Sequence, residues 1–210
     1  VWGRRVVTVF IGGGTPSLFS GAAIDRLLSS LRARLPLIAD AEVTMEANPG
    51  TFERARFADY RAAGVNRLSL GIQSFSDAKL KALGRVHDRA QACAAAEAAA
   101  ELFETFNLDL MYALPEQTLP ELRADLTQAL AFSPPHLLCY HLTLEPNTLF
   151  ARFPPPVPDE DQAAAMQDLL GEMLGDTYRN YEVSAWARPG HQAQHNLNYW
   201  MFGDYLGIGA

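Results

Sequence analysis

Apolar residues run without alternation through Val6-Val7-Thr8-Val9-Phe10-Ile11, the pattern of a strand covered on both faces. Over 20–35 the period changes. Ile24, Leu27, Leu28, Leu31 and Leu35 fall along one side of an amphipathic helix. The same exchange of patterns then repeats. A strand is predicted over 41–47, closed by the turn signal Asn48-Pro49-Gly50. A helix capped by Thr51 runs to about Ala63 and stops at Gly64. Further strands are predicted over 67–72, 106–114 and 137–142, and helices near 76–83, 88–104 and 119–131.

Strands that alternate with helices at roughly 25–40-residue spacing imply parallel pairing through right-handed helical crossovers. The expected fold is therefore α/β, a partial or complete parallel barrel in preference to a doubly wound sheet. Between 143 and 158 the pattern lapses into a proline-rich loop, with Pro146, Pro154, Pro155, Pro156 and Pro158. A helix over 159–178, a strand over 181–187 and an aromatic segment around Tyr199-Trp200 follow. The chain opens just before a core strand, and Tyr205-Leu206-Gly207-Ile208-Gly209-Ala210 reads as a strand cut in mid-turn. The expectation is a piece of a longer protein.

Composition narrows the class. The 210 residues are 49% hydrophobic and 20% charged, an ordinary globular balance. A net charge of −7 lacks the basic face that a nucleic-acid partner requires. No apolar run reaches the length of a membrane span, and no signal peptide opens the chain, so a cytoplasmic location is expected. Cys93 and Cys139 are too few and too far apart for a disulfide scaffold or a cysteine metal site, and read as small buried apolar residues.

Candidate chemistry gathers where strands end, because parallel barrels place their functional groups there. The first strand delivers Gly12-Gly13-Gly14-Thr15-Pro16: a backbone without Cβ atoms that a ligand can approach, followed by a hydroxyl. No helix-opening Lys-Ser or Lys-Thr follows, so a nucleotide phosphate fits poorly. Glu46 and Asn48 end the second strand, and Gln73 and Ser74 the third. Asp109 lies in the fourth, with Gln117 and Thr118 beyond it, and the fifth carries His141 and Thr143, with Glu145 just past them. Arg85 and His87 follow a short helix. A carboxylate inside an apolar strand is costly unless paired or bound. Glu46 and Asp109 are thus either ion-pair partners of Arg67 or Arg85, or ligand contacts. Gln73 either satisfies backbone groups or binds. Together the set suits a polar zwitterion bearing a ribose, with carboxylates for hydroxyls and Arg85 for an anion.

In these segments the chain resembles a known family. Gly12-Gly-Gly-Thr-Pro-Ser17, Glu46-Ala-Asn-Pro-Gly50, Gly71-Ile-Gln-Ser-Phe75, Leu83-Gly-Arg-Val-His87 and Asn107-Leu-Asp-Leu-Met-Tyr112 are similar to the radical S-adenosylmethionine (radical SAM) proteins of the oxygen-independent coproporphyrinogen oxidase group. Within that group, Tyr181-Glu-Val-Ser-Ala-Trp-Ala187 and His195-Asn-Leu-Asn-Tyr-Trp200 resemble the haem chaperones, whose His-Asn-x-x-Tyr-Trp motif is associated with haem.

The resemblance implies a partial radical SAM barrel spanning 1–210, incomplete at both ends, with the 181–210 segment included and no second complete domain. Gly13, Gly14 and Thr15 would contact the methionyl end of S-adenosylmethionine, and Glu46, Gln73, Arg85 and Asp109 would bind that cofactor. His195 would contact haem and could ligate its iron; its alternative is a structural histidine beside aromatics. The intact protein would carry a [4Fe-4S] cluster, whose Cys-x-x-x-Cys-x-x-Cys motif is absent from these residues. Its implied activity is to pass haem to a membrane acceptor. The alternatives are radical decarboxylation of coproporphyrinogen III and, without a cluster, simple binding of a nucleotide-like metabolite. The resemblance also has a departure: Ala113 and Glu116 stand where the family has glycines.

Overall fold

The computed structural model describes residues 3–50 and 53–209. Five parallel strands form in chain order: β1 (Val6–Ile11), β2 (Leu37–Ala47), β3 (Arg67–Gln73), β4 (Thr105–Tyr112) and β5 (His136–His141). Crossovers carry α1 (Gly21–Arg34), α2 (Glu53–Ala63), the pair α3 (Asp77–Ala82) and α4 (Arg89–Leu102), and α5 (Leu119–Ala131). After α6 (Leu149–Arg152) and α7 (Glu160–Leu174), the short strands β6 (Arg179–Asn180) and β7 (Ala185–Ala187) complete a seven-stranded sheet of order β1-β2-β3-β4-β5-β7-β6. The sheet is open, a partial barrel.

Local chemistry explains where the helices begin. Ser20 accepts the Ala23 N–H at the start of α1. Reciprocal capping pairs open α4 (Asp88 with Gln91), α5 (Thr118 with Glu121) and α7 (Asp159 with Gln162). The proposed Thr51 cap lies outside the described residues.

Each central strand has an apolar outer face and a polar inner one. Val43, Met45, Leu68, Leu70, Ile72, Phe106, Leu108, Leu110, Leu137 and Cys139 pack outward, in one cluster with Ile24, Leu28, Phe57, Tyr60, the alanines of α4, Leu122, Leu126 and Leu169. The alternate residues Thr44, Glu46, Ser69, Asn107, Asp109 and His136 line an interior cavity. The alanine run of α4 keeps that helix thin against the sheet, with Ala92, Ala95, Ala96 and Ala99 fully buried.

Four sequence expectations are corrected. β1 is not covered on both faces: it ends the sheet, and Val7 is 48% exposed. Of the strand expected over 181–187 only β7 forms, with β6 lying before it, and β7 runs antiparallel to β5, so the barrel is not wholly parallel. Short helices interrupt stretches read as loop or left unassigned: α6 within 143–158, and α8 (Gln194–Trp200) across the aromatic segment. Residues 203–209 adopt no regular structure, so no strand forms at 205–209.

Candidate functional site

The glycine turn after β1 uses each glycine differently. Gly13 and Gly14 adopt φ of 78° and 54°, a region that disfavours side chains, and open space surrounds both. Gly12 makes room: a Cβ there would lie 2.6 Å from Phe10 and 3.1 Å from the Glu46 carboxylate. That vacancy lets Glu46 Oε2 accept the Gly13 N–H at 3.1 Å. Glu46 is therefore tied to the glycine turn and not to Arg67. Arg67, only 3% exposed, pairs instead with Glu42 at 3.3 Å and donates to the His191 carbonyl.

At the end of β3 the register slips between Gly71 and Gln73, and Gln73 is held at φ 61°. With its amide oriented so that each atom faces a complementary partner, its nitrogen donates to the carbonyls of Gly71 and Ile72, and its oxygen accepts from Arg85 Nη2 at 3.2 Å. Gln73 thus satisfies backbone groups, as one of its two readings expected, and it also orients Arg85. His87 braces the same turn by donating Nε2–H to the Ile72 carbonyl at 3.1 Å. Burial lowers the affinity of Arg85 for its proton, and the charge of Asp109 opposes that effect.

Asp109 stands part-buried on β4. Ser69 Oγ donates to it at 3.2 Å, and Asn107 Nδ2 donates to the same oxygen. Burial pushes its carboxyl up to about 7 despite those bonds, and the neighbouring charge of Glu46 adds to the rise. The strand-end set Glu46, Gln73, Arg85 and Asp109 is thus coupled by contact or charge, with the glycine turn joined through Glu46.

His195 arrives at the same cavity from far along the chain. Its ring stacks on Phe10 (centroids 4.7 Å apart) and meets Tyr199 edge-on. Nδ1 lies 3.3 Å from Thr8 Oγ1, the backbone N–H donates to Glu42, and among the described residues Nε2 has no hydrogen-bond partner. Burial lowers its pKa. A cavity of about 350 Å³ is lined by Glu46 and Asp109 on one side and by His195, Tyr199 and Trp200 on another. Thr15, next to the glycine turn, is half-buried, and its side chain makes no capping bond.

Several residues that build this site were not singled out from the sequence: Glu42, Ser69 and His136 lie in no motif, and Asn107 and Tyr181 open motif segments without an assigned role. Their signal in the sequence is alternation, as in Glu42-Val-Thr-Met-Glu46 and Arg67-Leu-Ser-Leu-Gly71, where every second residue is small or polar. His141 and Thr143 are exposed, and Thr143 Oγ1 donates to the His141 carbonyl. Gln117 caps its own turn at Leu114.

The polar inner face, the open glycine turn and the buried, unpartnered Thr44 hydroxyl on the cavity wall fit a polar ligand with hydroxyl and amino groups. The described residues do not fit an iron–sulfur cluster. No three His, Cys, Asp or Glu side chains among them group to hold a metal ion. Cys93 is on α4, and Cys139 sits in the outer apolar core, where burial pushes its thiol up to about 12.

The chain is similar to known proteins in sequence and in fold. The chain is 58% identical over 213 residues to the haem chaperone HemW of Escherichia coli, covering 99% of this chain and 56% of that protein. It is 44% identical over 212 residues to mouse mitochondrial radical S-adenosyl methionine domain-containing protein 1, covering 98% of this chain and 48% of the relative. The chain thus spans about half the length of these curated relatives. Among solved structures, the radical SAM enzyme coproporphyrinogen III oxidase (HemN) of Escherichia coli superposes with a TM-score of 0.80 at 28% identity, over 95% of this chain and 46% of that one. The family model of the radical SAM superfamily matches residues 2–129, more than half of the chain. With its partial barrel and strand-end site, the chain belongs to the radical SAM superfamily.

Proposed function

We propose that the full protein is a haem chaperone that binds S-adenosylmethionine at Gly13, Gly14, Thr15, Glu46, Gln73, Arg85 and Asp109 and carries haem against His195. One observation supports this reading above the others: His195, 187 residues beyond its neighbour Thr8, is seated on the cavity that Glu46 and Asp109 also line. The haem-chaperone name of the 58%-identical relative agrees with it. Superfamily membership implies S-adenosylmethionine and a [4Fe-4S] cluster, which together supply reductive radical chemistry when both are bound. The residues of this chain would do the binding. The Glu46 carboxylate beside the glycine turn suits an ammonium group, and Asp109 suits ribose hydroxyls. His195 Nε2 would contact iron, with Tyr199 and Trp200 as flat apolar surface.

We place the protein in the cytoplasm, with a membrane protein as acceptor of the haem. No helix among the described residues is long and apolar enough to cross a membrane. The second reading is oxidation of coproporphyrinogen III, favoured by the HemN superposition at lower identity.

Haem titration of the full-length protein tests the first reading. Wild type is expected to develop a Soret band, and His195→Ala to bind at least about tenfold more weakly, a loss of about 1.4 kcal/mol. Equal affinity in the two proteins counts against His195. Formation of protoporphyrinogen from coproporphyrinogen III in an anaerobic assay would establish the second reading.

A further inference from the structure

A buried hydrogen-bond chain joins Asp109 to the start of α8. Ser69 Oγ and Asn107 Nδ2 both donate to Asp109, and Asn107 Nδ2 also donates to Ser69 Oγ at 2.9 Å. The Asn107 amide therefore presents its oxygen to His136, 2.6 Å from Nδ1. An amide oxygen only accepts, so the proton of His136 sits on Nδ1. His136 is 1% exposed, and burial with the nearby Arg67 keeps it neutral, so its Nε2 is an acceptor. Tyr181 donates its hydroxyl proton there at 2.7 Å. The Tyr181 oxygen then accepts the Ala193 N–H at 3.1 Å and Asn196 Nδ2 at 3.3 Å.

The last link matters because α8 has no cap of its own. Its N-cap residue, Ala193, has no side chain to accept a backbone N–H, and none of its residues is fully buried. Tyr181, just after β6, and Glu42, on β2, hold the first turn from outside the helix. With Asp109 ionised, every donor in the chain has one direction. With Asp109 protonated or turned away, that direction is open, and the first turn of α8 loses its fixed partner.

We propose that Asn107, His136 and Tyr181 are positioning residues that couple Asp109 to α8, so that a ligand donating to Asp109 tightens the binding of a ligand at His195. The inference rests on the reading of S-adenosylmethionine at Asp109 and haem at His195. The bound hydroxyls hold Asp109 in its accepting form, α8 is ordered in advance, and the second ligand then meets a preformed surface. Linkage is reciprocal: haem must tighten S-adenosylmethionine by the same factor.

The test is haem titration of full-length protein with and without saturating S-adenosylmethionine, followed by the converse titration. Wild type is expected to show about fivefold tighter haem binding in the presence of S-adenosylmethionine, and the same factor in reverse. Tyr181→Phe keeps the ring and removes the proton, so the factor should fall to one while both ligands still bind. A merely structural tyrosine would weaken haem binding equally with and without S-adenosylmethionine, leaving the factor intact. Should Tyr181→Phe fail to fold, His136→Leu breaks the chain one link earlier and must give the same loss. A factor of one in wild type, or a retained factor in a folded variant, overturns the coupling alone. Failure of wild type to bind either ligand overturns the functional reading together with the coupling.

Discussion

Asp109 concentrates the electrostatic character of the site. Its carboxyl is raised from the ordinary range of about 4 to about 7. Between those values the unfolded chain releases the proton while the folded chain keeps it. Stability therefore falls as pH rises through that window and levels off above about 7. Asp109→Asn keeps an acceptor oxygen for Ser69 and Asn107 and removes the slope. Chemical denaturation across pH 4.5–8 is expected to show wild type losing ground to the variant as pH rises, with parallel curves contradicting the assignment. Ligand hydroxyls that donate to Asp109 need its ionised form, so S-adenosylmethionine affinity should weaken below about pH 7, approaching tenfold per pH unit. A second residue-scale feature is the loop after β4. Ala113 and Glu116 hold φ of 55° and 52° without being glycine, and buried Lys79 pins the loop through the carbonyls of Pro115 and Glu116. Glu116 is exposed, so Glu116→Gly should raise stability by up to about 1 kcal/mol in urea melts. A loss would mean that its side chain contributes more than its backbone strains.

Elements differ in how much of them the sequence shows. The five parallel strands and their crossover helices were legible because each carries a hydrophobic period of its own. Glu46 and Asp109 stood out as charges among apolar neighbours, and Gln73 as a polar strand end. What escaped is held together over distance. Glu42 looks like an ordinary surface residue until Arg67 and the His195 N–H, 153 residues away, are brought to it. His136 and Tyr181 matter through each other and through Asn107 and the start of α8. α8 has seven residues and no local cap, so neither length nor capping marked it. The direction of β7 was likewise invisible, since a three-residue strand has no pattern to read. The Glu42 pairing makes its own prediction. Glu42→Ala leaves the Arg67 guanidinium in the interior without its carboxylate, and about 3 kcal/mol of stability should be lost. A loss under about 1 kcal/mol would show that the His191 carbonyl alone suffices for Arg67.

At the scale of the molecule, the two faces of the sheet divide stability from chemistry. The outer face buries Leu68, Leu70, Ile72, Leu108 and Leu110 against the helices, and the inner face spends its positions on polar groups. Leu108→Ala should therefore remove about 2–5 kcal/mol of stability without touching the cavity lining. Ser69→Ala should act in the opposite sense, on binding more than on folding. The contact between Thr8 and His195 closes a span of 187 residues. A ribosome delivers β1 to β5 first, and each can pair with a predecessor already made. The strand-end groups can thus assemble in the order of synthesis, while the surface around His195 waits for the last part of this chain. The two halves of the cavity mature in sequence. In the finished protein the late half, secured by Tyr181 and Glu42 instead of its own burial, should be the first to exchange its amide hydrogens.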